Sequence, residues 1–196
     1  MVFGLGGVIF SYNPEVRWQK FAEHTGETAS AIRKRLADSG YAQTCDMGRL
    51  KGKKAYAEGI RLLGKRLSLE RFAQIWVSAF KPDEAVLELV GELKNRCALA
   101  LLSNNSDLVR TGLESAYPHV MELFRPRLFS ADLGLMKPDP RSFAAALELL
   151  GSEASTTLLI DAAISNTSTA ESLGLPSHTF QDAEALGIAL TDYGLR

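Results

Sequence analysis

The chain has 196 residues, a formal net charge of −1 and 23% charged side chains, a balance that gives no footing to nucleic acid or to an anionic membrane surface as partner. Hydrophobic residues make up 46%, enough for one sizeable domain, or one domain carrying a small insertion. The two cysteines, Cys45 and Cys97, are too few and too far apart for a disulfide framework. The N-terminal apolar run is too short for a membrane span and lacks the leading basic residue of a signal peptide, so a cytoplasmic protein is expected.

In chain order, Met1 to Phe10 (M-V-F-G-L-G-G-V-I-F) reads as a strand buried on both faces, with glycines near its end. Three glycines mark backbone that bends or lets another group come close, and no residue of the stretch carries a charged or hydroxyl side chain. Asn13-Pro14 then fits an N-cap followed by proline in the first helical position. As far as Ala79 the spacing predicts about four short amphipathic helices and no strand. Ile32 and Leu36 lie one turn apart before Gly40; Tyr56, Ile60 and Leu63 end at Gly64; Ser68 caps a stripe of Phe72, Ile75, Trp76 and Ala79. Helices this short need a surface to pack on.

Phe80-Lys81-Pro82 marks a boundary. Beyond it, apolar runs at Cys97 to Leu102, Arg127 to Phe129, Thr157 to Ile160 and Ser177 to Phe180 alternate with helical periodicity. That alternation predicts an α/β fold, a parallel sheet with helices on both faces. Ligands of such sheets sit beyond the carboxyl ends of the strands. The residues placed there are Gly4 to Gly7, Ser103-Asn104, Lys137 and Asp161. His24, His119 and His178 show no ligand spacing, the two cysteines have no activating neighbours, and Asp132 is expected to order its own loop. Gly4-x-Gly6 fails as a dinucleotide fingerprint because Ile9 stands where a third glycine is required.

Four stretches together resemble the haloacid dehalogenase (HAD) superfamily. They are Phe3 to Ile9 (F-G-L-G-G-V-I), Leu101 to Asn104 (L-L-S-N), Ser130 to Pro140 (S-A-D-L-G-L-M-K-P-D-P) and Leu159 to Gly174. Within the superfamily the pattern is most similar to the branch of sugar phosphatases resembling alpha-D-glucose-1-phosphate phosphatase, whose first motif reads F-D-L-G-x-V-I. The resemblance implies a Rossmann-like core formed by residues 1–13 and 81–196, with a helical cap inserted at 14–80 and Met47-Gly48-Arg49-Leu50 as its glycine turn. It also implies a magnesium-dependent chemistry in which a carboxylate attacks phosphorus. Ser103 and Asn104 would then hold the phosphoryl group, Lys137 would screen its charge, and Asp161 would be the first of two acidic residues at the metal.

The departures from the family pattern fall on that chemistry. Gly4 stands at the nucleophile position, Gly6 at the acid/base position and Ala162 at the second acidic position. The expectation is therefore a catalytically impaired phosphatase-like protein, with no intact catalytic residue and only weak magnesium binding through Asp161. It would bind a phosphorylated small molecule or inorganic phosphate. The alternatives are an active sugar-phosphate phosphatase, or a module that binds a protein partner through its cap.

Overall fold

The first strand is much shorter than the apolar run that contains it. In the computed structural model, which describes residues 1–196, β1 is only Val2–Phe3. The ladder runs one step further, where the Gly4 N–H donates to the Ile160 carbonyl at 2.8 Å. Leu5 to Ile9 then folds on itself: the Phe10 N–H donates to the Leu5 carbonyl at 3.0 Å and the Gly7 N–H to the Phe10 carbonyl at 2.7 Å. Leu5, Val8 and Ile9 are buried, so their apolarity reflects a turn packed into the core. The sequence pattern of a buried turn and that of a buried strand are the same here, because both need apolar side chains on every side.

The next strand, β2 (Phe10–Tyr12), pairs antiparallel with β3 (Phe80–Pro82). Between them lie α1 (Pro14–Thr25), α2 (Ala29–Arg33), a π-helical turn (Lys34–Asp38), α3 (Tyr41–Asp46), α4 (Gly52–Leu63) and α5 (Leu69–Val77). The capping residues act as their types require: Asn13 Oδ1 accepts the Glu15 N–H at 3.1 Å, and Ser68 Oγ accepts the Arg71 N–H at 3.1 Å. One turn of sequence separates Ile32 from Leu36, and both are fully buried, although the backbone there widens from α to π geometry.

The remainder alternates in the expected order. It comprises α6 (Glu84–Leu93), β4 (Ala100–Ser103), α7 (Asp107–Ala116), α8 (Pro118–Met121), β5 (Arg127–Phe129), α9 (Ser130–Leu133), α10 (Pro140–Leu150), β6 (Leu159–Asp161), α11 (Ile164–Ser172), β7 (Ser177–Thr179) and α12 (Ala183–Asp192). The main sheet is parallel throughout, in the order β5-β4-β1-β6-β7. Side chains alternate across it. Phe3, Leu101 and Ile160 join the apolar cluster on one face, while Val2, Leu102 and Leu159 pack with Phe143, Ala146 and Ala170 on the other. Both faces are covered, as a parallel sheet requires. With β1 central, the chain departs to β4 on one side and β6 on the other, and a crevice opens at their carboxyl ends. No helix is long and apolar enough to cross a membrane.

The helical segment is not a loosely tethered unit. The cluster that contains Phe3, Leu101 and Ile160 also contains Trp18, Phe21, Phe72 and Trp76. Two glycines permit the contact. A Cβ on Gly112 of α7 would lie 2.5 Å from Val77 Cγ1, and one on Gly48 would lie 2.0 Å from the Ala131 carbonyl oxygen of α9. Gly48 also has φ of +69°, so a side chain there meets both strain and a clash. Gly48→Ala should therefore destabilise the protein by about 2 kcal/mol or more. Gly26→Ala, at φ of +78° but with open space around it, should cost only about 1 kcal/mol. Urea unfolding of the two variants checks this, and equal losses would contradict it.

Candidate functional site

The carboxyl ends of β1, β4 and β6 bring together Gly4, Ser103 and Asp161, and the loop after α9 adds Lys137. These residues, with Gly6, Asn104 and Ala162, line one wall of a cavity of about 630 Å³. The opposite wall belongs to the helical segment and carries Arg17, Trp18, Asp46 and Trp76. All the residues singled out from the sequence are thus neighbours in space, although they come from four distant parts of the chain.

Their side chains are engaged with one another. The Lys137 ammonium is buried, donates to the Leu102 carbonyl at 2.6 Å and forms a short ion pair with Asp161 Oδ2. The other oxygen of that carboxylate, Oδ1, accepts the Ala163 N–H and the Asn166 Nδ2–H, each at 2.9 Å. Burial pushes the Lys137 ammonium below the usual lysine range, and the charge and hydrogen bond of Asp161 hold it up in part. Removing one member of such a pair costs roughly 3–5 kcal/mol, because the survivor is left charged and unpaired.

Gly4 explains why Asp161 can lean this way. A Cβ on Gly4 would stand 3.0 Å from Asp161 Oδ2 and 3.3 Å from its Cγ. The carboxylate occupies the margin of the space that a side chain at position 4 would need. A carboxylate placed at residue 4 would face Asp161 as a like charge, with Lys137 between two acids.

The Asn104 side chain is engaged with the backbone of Lys137. Its Oδ1 accepts the Lys137 N–H at 2.8 Å and its Nδ2 donates to the Lys137 carbonyl at 2.7 Å. Both ends of the amide are used to fix the backbone that presents the lysine. Ser103 Oγ accepts from Asn105 Nδ2 at 2.8 Å, an arrangement that leaves the hydroxyl hydrogen for another acceptor. Asp132, expected to order its own loop, instead pairs with Arg110 of α7 and lies 3.9 Å from Lys51 Nζ. It ties the sheet layer to the helical segment.

The side chains here offer magnesium few oxygen donors. Gly4 and Ala162 offer no side-chain oxygen, and Asp161 already accepts from Lys137, Ala163 and Asn166. No cluster of three His, Cys, Asp or Glu side chains suited to a metal occurs anywhere in the chain. Magnesium takes one or two carboxylates together with waters, and the carboxylate beside Gly4 is already neutralised by a lysine.

Two residues of the helical wall carried no sequence signal. Arg17 follows a helix start and reads as an ordinary surface arginine, yet it is buried. Asp46 ends α3 beside the glycine turn. Burial raises its carboxyl from the ordinary 3.8 to about 7, against the opposing effects of the Arg17 charge and the Ser106 N–H. Between those two values the folded protein binds a proton that the unfolded chain has lost, so stability falls as pH rises through that window. Asp46→Asn should abolish this fall, which is on the order of a few kcal/mol, and should be more stable than the parent at pH 8 but not at pH 4. Chemical unfolding at both pH values provides the check; a parent and variant that differ equally at the two would contradict the assignment.

No protein-family model matches the chain. Solved structures do. It superposes on a HAD-family enzyme from Bacteroides thetaiotaomicron, in complex with magnesium and inorganic phosphate, with a TM-score of 0.79 at 22% identity over 92% of both chains. It superposes on a predicted HAD-like family hydrolase from Porphyromonas gingivalis with a TM-score of 0.78 at 24% identity, over 98% of this chain and 95% of that one. For L-2-haloacid dehalogenase from Xanthobacter autotrophicus the TM-score is 0.62 at 18% identity, over 100% of this chain and 83% of that one. The five-stranded parallel sheet with helices on both faces is therefore the Rossmann-like core of the HAD hydrolase fold.

Proposed function

We propose that this protein binds phosphate esters in a HAD-type cavity and performs no efficient phosphoryl transfer. In this reading residues 1–13 and 81–196 form the core, and 14–80 form a helical cap over the carboxyl ends of the strands. The observation that carries it is Gly4. A covalent phosphoryl transfer at this point needs a carboxylate with a free lone pair, and residue 4 offers only backbone, its N–H already spent on Ile160. The carboxylate nearest that position is Asp161, and its oxygens are engaged by Lys137, Ala163 and Asn166.

Phosphate is favoured as the ligand chemistry by two considerations. The Ser103 hydroxyl hydrogen and any Lys137 donor not spent on Leu102 and Asp161 face the same cavity wall. The Bacteroides thetaiotaomicron enzyme of similar fold was crystallised with magnesium and inorganic phosphate. Because Asp161 offsets the lysine charge, the phosphoryl end of the site is close to neutral before a ligand enters, and affinity there should be modest.

The test is turnover and binding measured on the same preparation. With p-nitrophenyl phosphate and a panel of sugar phosphates, magnesium should elicit a rate at least a thousandfold below the roughly 10 s⁻¹ typical of enzymes. Calorimetry with inorganic phosphate should show binding whose affinity changes less than about twofold when magnesium is replaced by a chelator, since no step of binding depends on a held metal. Magnesium-dependent hydrolysis at ordinary enzymatic rates would overturn the impaired reading, and absence of phosphate binding would overturn the ligand.

A further inference from the structure

Arg17 is the one cation of the cavity wall without an acidic partner. It is only 4% exposed. Its Nε donates to the Trp76 carbonyl at 2.5 Å, but Nη2 is buried with no hydrogen-bond partner. Its guanidinium carbon lies 4.7 Å from the ring centre of Trp76, 5.4 Å from Trp18, 5.7 Å from Tyr12 and 5.9 Å from Phe80. Ring faces attract a cation, but they do not satisfy a guanidinium N–H, and aromatic walls strip it of water.

The other cations on the cavity wall are matched. Arg33 lies 3.9 Å from Glu15 and 3.6 Å from Asp38, and Lys137 is paired with Asp161. Arg17 belongs to no ion pair; Tyr12 and Asp46 favour its charged form without neutralising it at contact distance. A buried, unmatched guanidinium is costly in an empty protein. It becomes favourable when an oxyanion enters and accepts its forked donors in a setting of low dielectric.

We propose that Arg17 receives an anionic group of the ligand, so that the cavity holds a phosphorylated small acid with its phosphoryl end at Ser103 and Lys137 and a second oxyanion at Arg17. This rests on the phosphate-binding reading given above and adds to it the chemical class of the ligand. The two ends are unequal: Lys137 arrives already neutralised, whereas Arg17 brings a full charge. The oxyanion at Arg17 is therefore the stronger anchor.

Calorimetry with two non-hydrolysable probes tests this. Propylphosphonate carries one anionic group, and 3-phosphonopropionate carries the same phosphonate with a carboxylate at the other end. The parent protein should bind the second at least tenfold more tightly. Arg17→Met should abolish that preference. The variant should also unfold at the same temperature as the parent or above it, because an unpaired buried cation has been replaced by an apolar chain of similar length. A purely structural Arg17 would instead show a lowered unfolding temperature and an unchanged preference. Should Arg17→Met fail to fold, Arg17→Lys serves in its place: it keeps the charge but not the forked donor, and it should lose most of the preference. Equal affinity of the parent for both probes, or a preference that survives substitution, overturns the proposal.

Failure of the phosphate reading looks different. In that case propylphosphonate does not bind the parent, and glutarate, with two carboxylates and no phosphorus, becomes the probe of Arg17. Glutarate binding that is lost in Arg17→Met supports the oxyanion anchor even then. Glutarate that fails to bind, or binds the variant equally well, refutes it.

Discussion

A single buried ion pair, Lys137 with Asp161, ties together the parts from which the cavity floor is made. The lysine comes from the loop after α9 and also binds the Leu102 carbonyl of β4; the aspartate ends β6 and, through Ala163 and Asn166, fixes the start of α11. Asn104 clamps the lysine backbone from the end of β4. Two charges taken out of water are stable only when, as here, further hydrogen bonds support the pair. The arrangement consequently behaves as one unit. It also fixes the electrostatics of the floor, where a cation that would otherwise attract phosphate is held by an anion of the same protein.

Glycine at position 4 makes that pairing sterically accessible. Asp161 Oδ2 sits 3.0 Å from where a Cβ would be, a distance at which something must give. A carboxylate at residue 4 would compete with Asp161 for Lys137 and repel it. The absence of a side chain at residue 4 and the Lys137–Asp161 pair are thus sterically linked. Ala162 adds no second acid beside Asp161. On the helical wall Arg17 lies against the rings of Trp76, Trp18 and Tyr12, and Asp46 lines the same cavity.

The sequence made the sheet legible because a doubly covered parallel strand must be apolar on both faces, and Leu101, Leu102, Leu159 and Ile160 meet that demand. It also made the floor of the site legible, since Ser103, Lys137 and Asp161 follow strand ends or loops where only backbone geometry decides their direction. The N-terminal run differs in part: its pattern predicts one strand over Met1 to Phe10, whereas β1 is only Val2–Phe3. Periodicity cannot separate a buried turn such as Leu5 to Ile9 from a buried strand. Arg17 escaped notice for a different reason. Nothing local distinguishes an arginine that faces solvent from one enclosed by Trp76 and Phe80, residues that lie some sixty positions further along the chain. The Asn104 amide turns to the Lys137 backbone, which only the tertiary contact reveals.

The account stands or falls on Lys137 being spent on Asp161. Heteronuclear NMR of the lysine side chains reports this directly, because an ammonium that is buried and hydrogen-bonded exchanges its protons slowly, whereas solvated lysine ammonium signals are lost to exchange near neutral pH. One lysine ammonium signal should persist at neutral pH, vanish in Lys137→Arg and broaden in Asp161→Asn. A Lys137 signal lost to exchange along with those of the surface lysines, or one indifferent to Asp161→Asn, would show that the lysine charge is free for a ligand and would contradict the account.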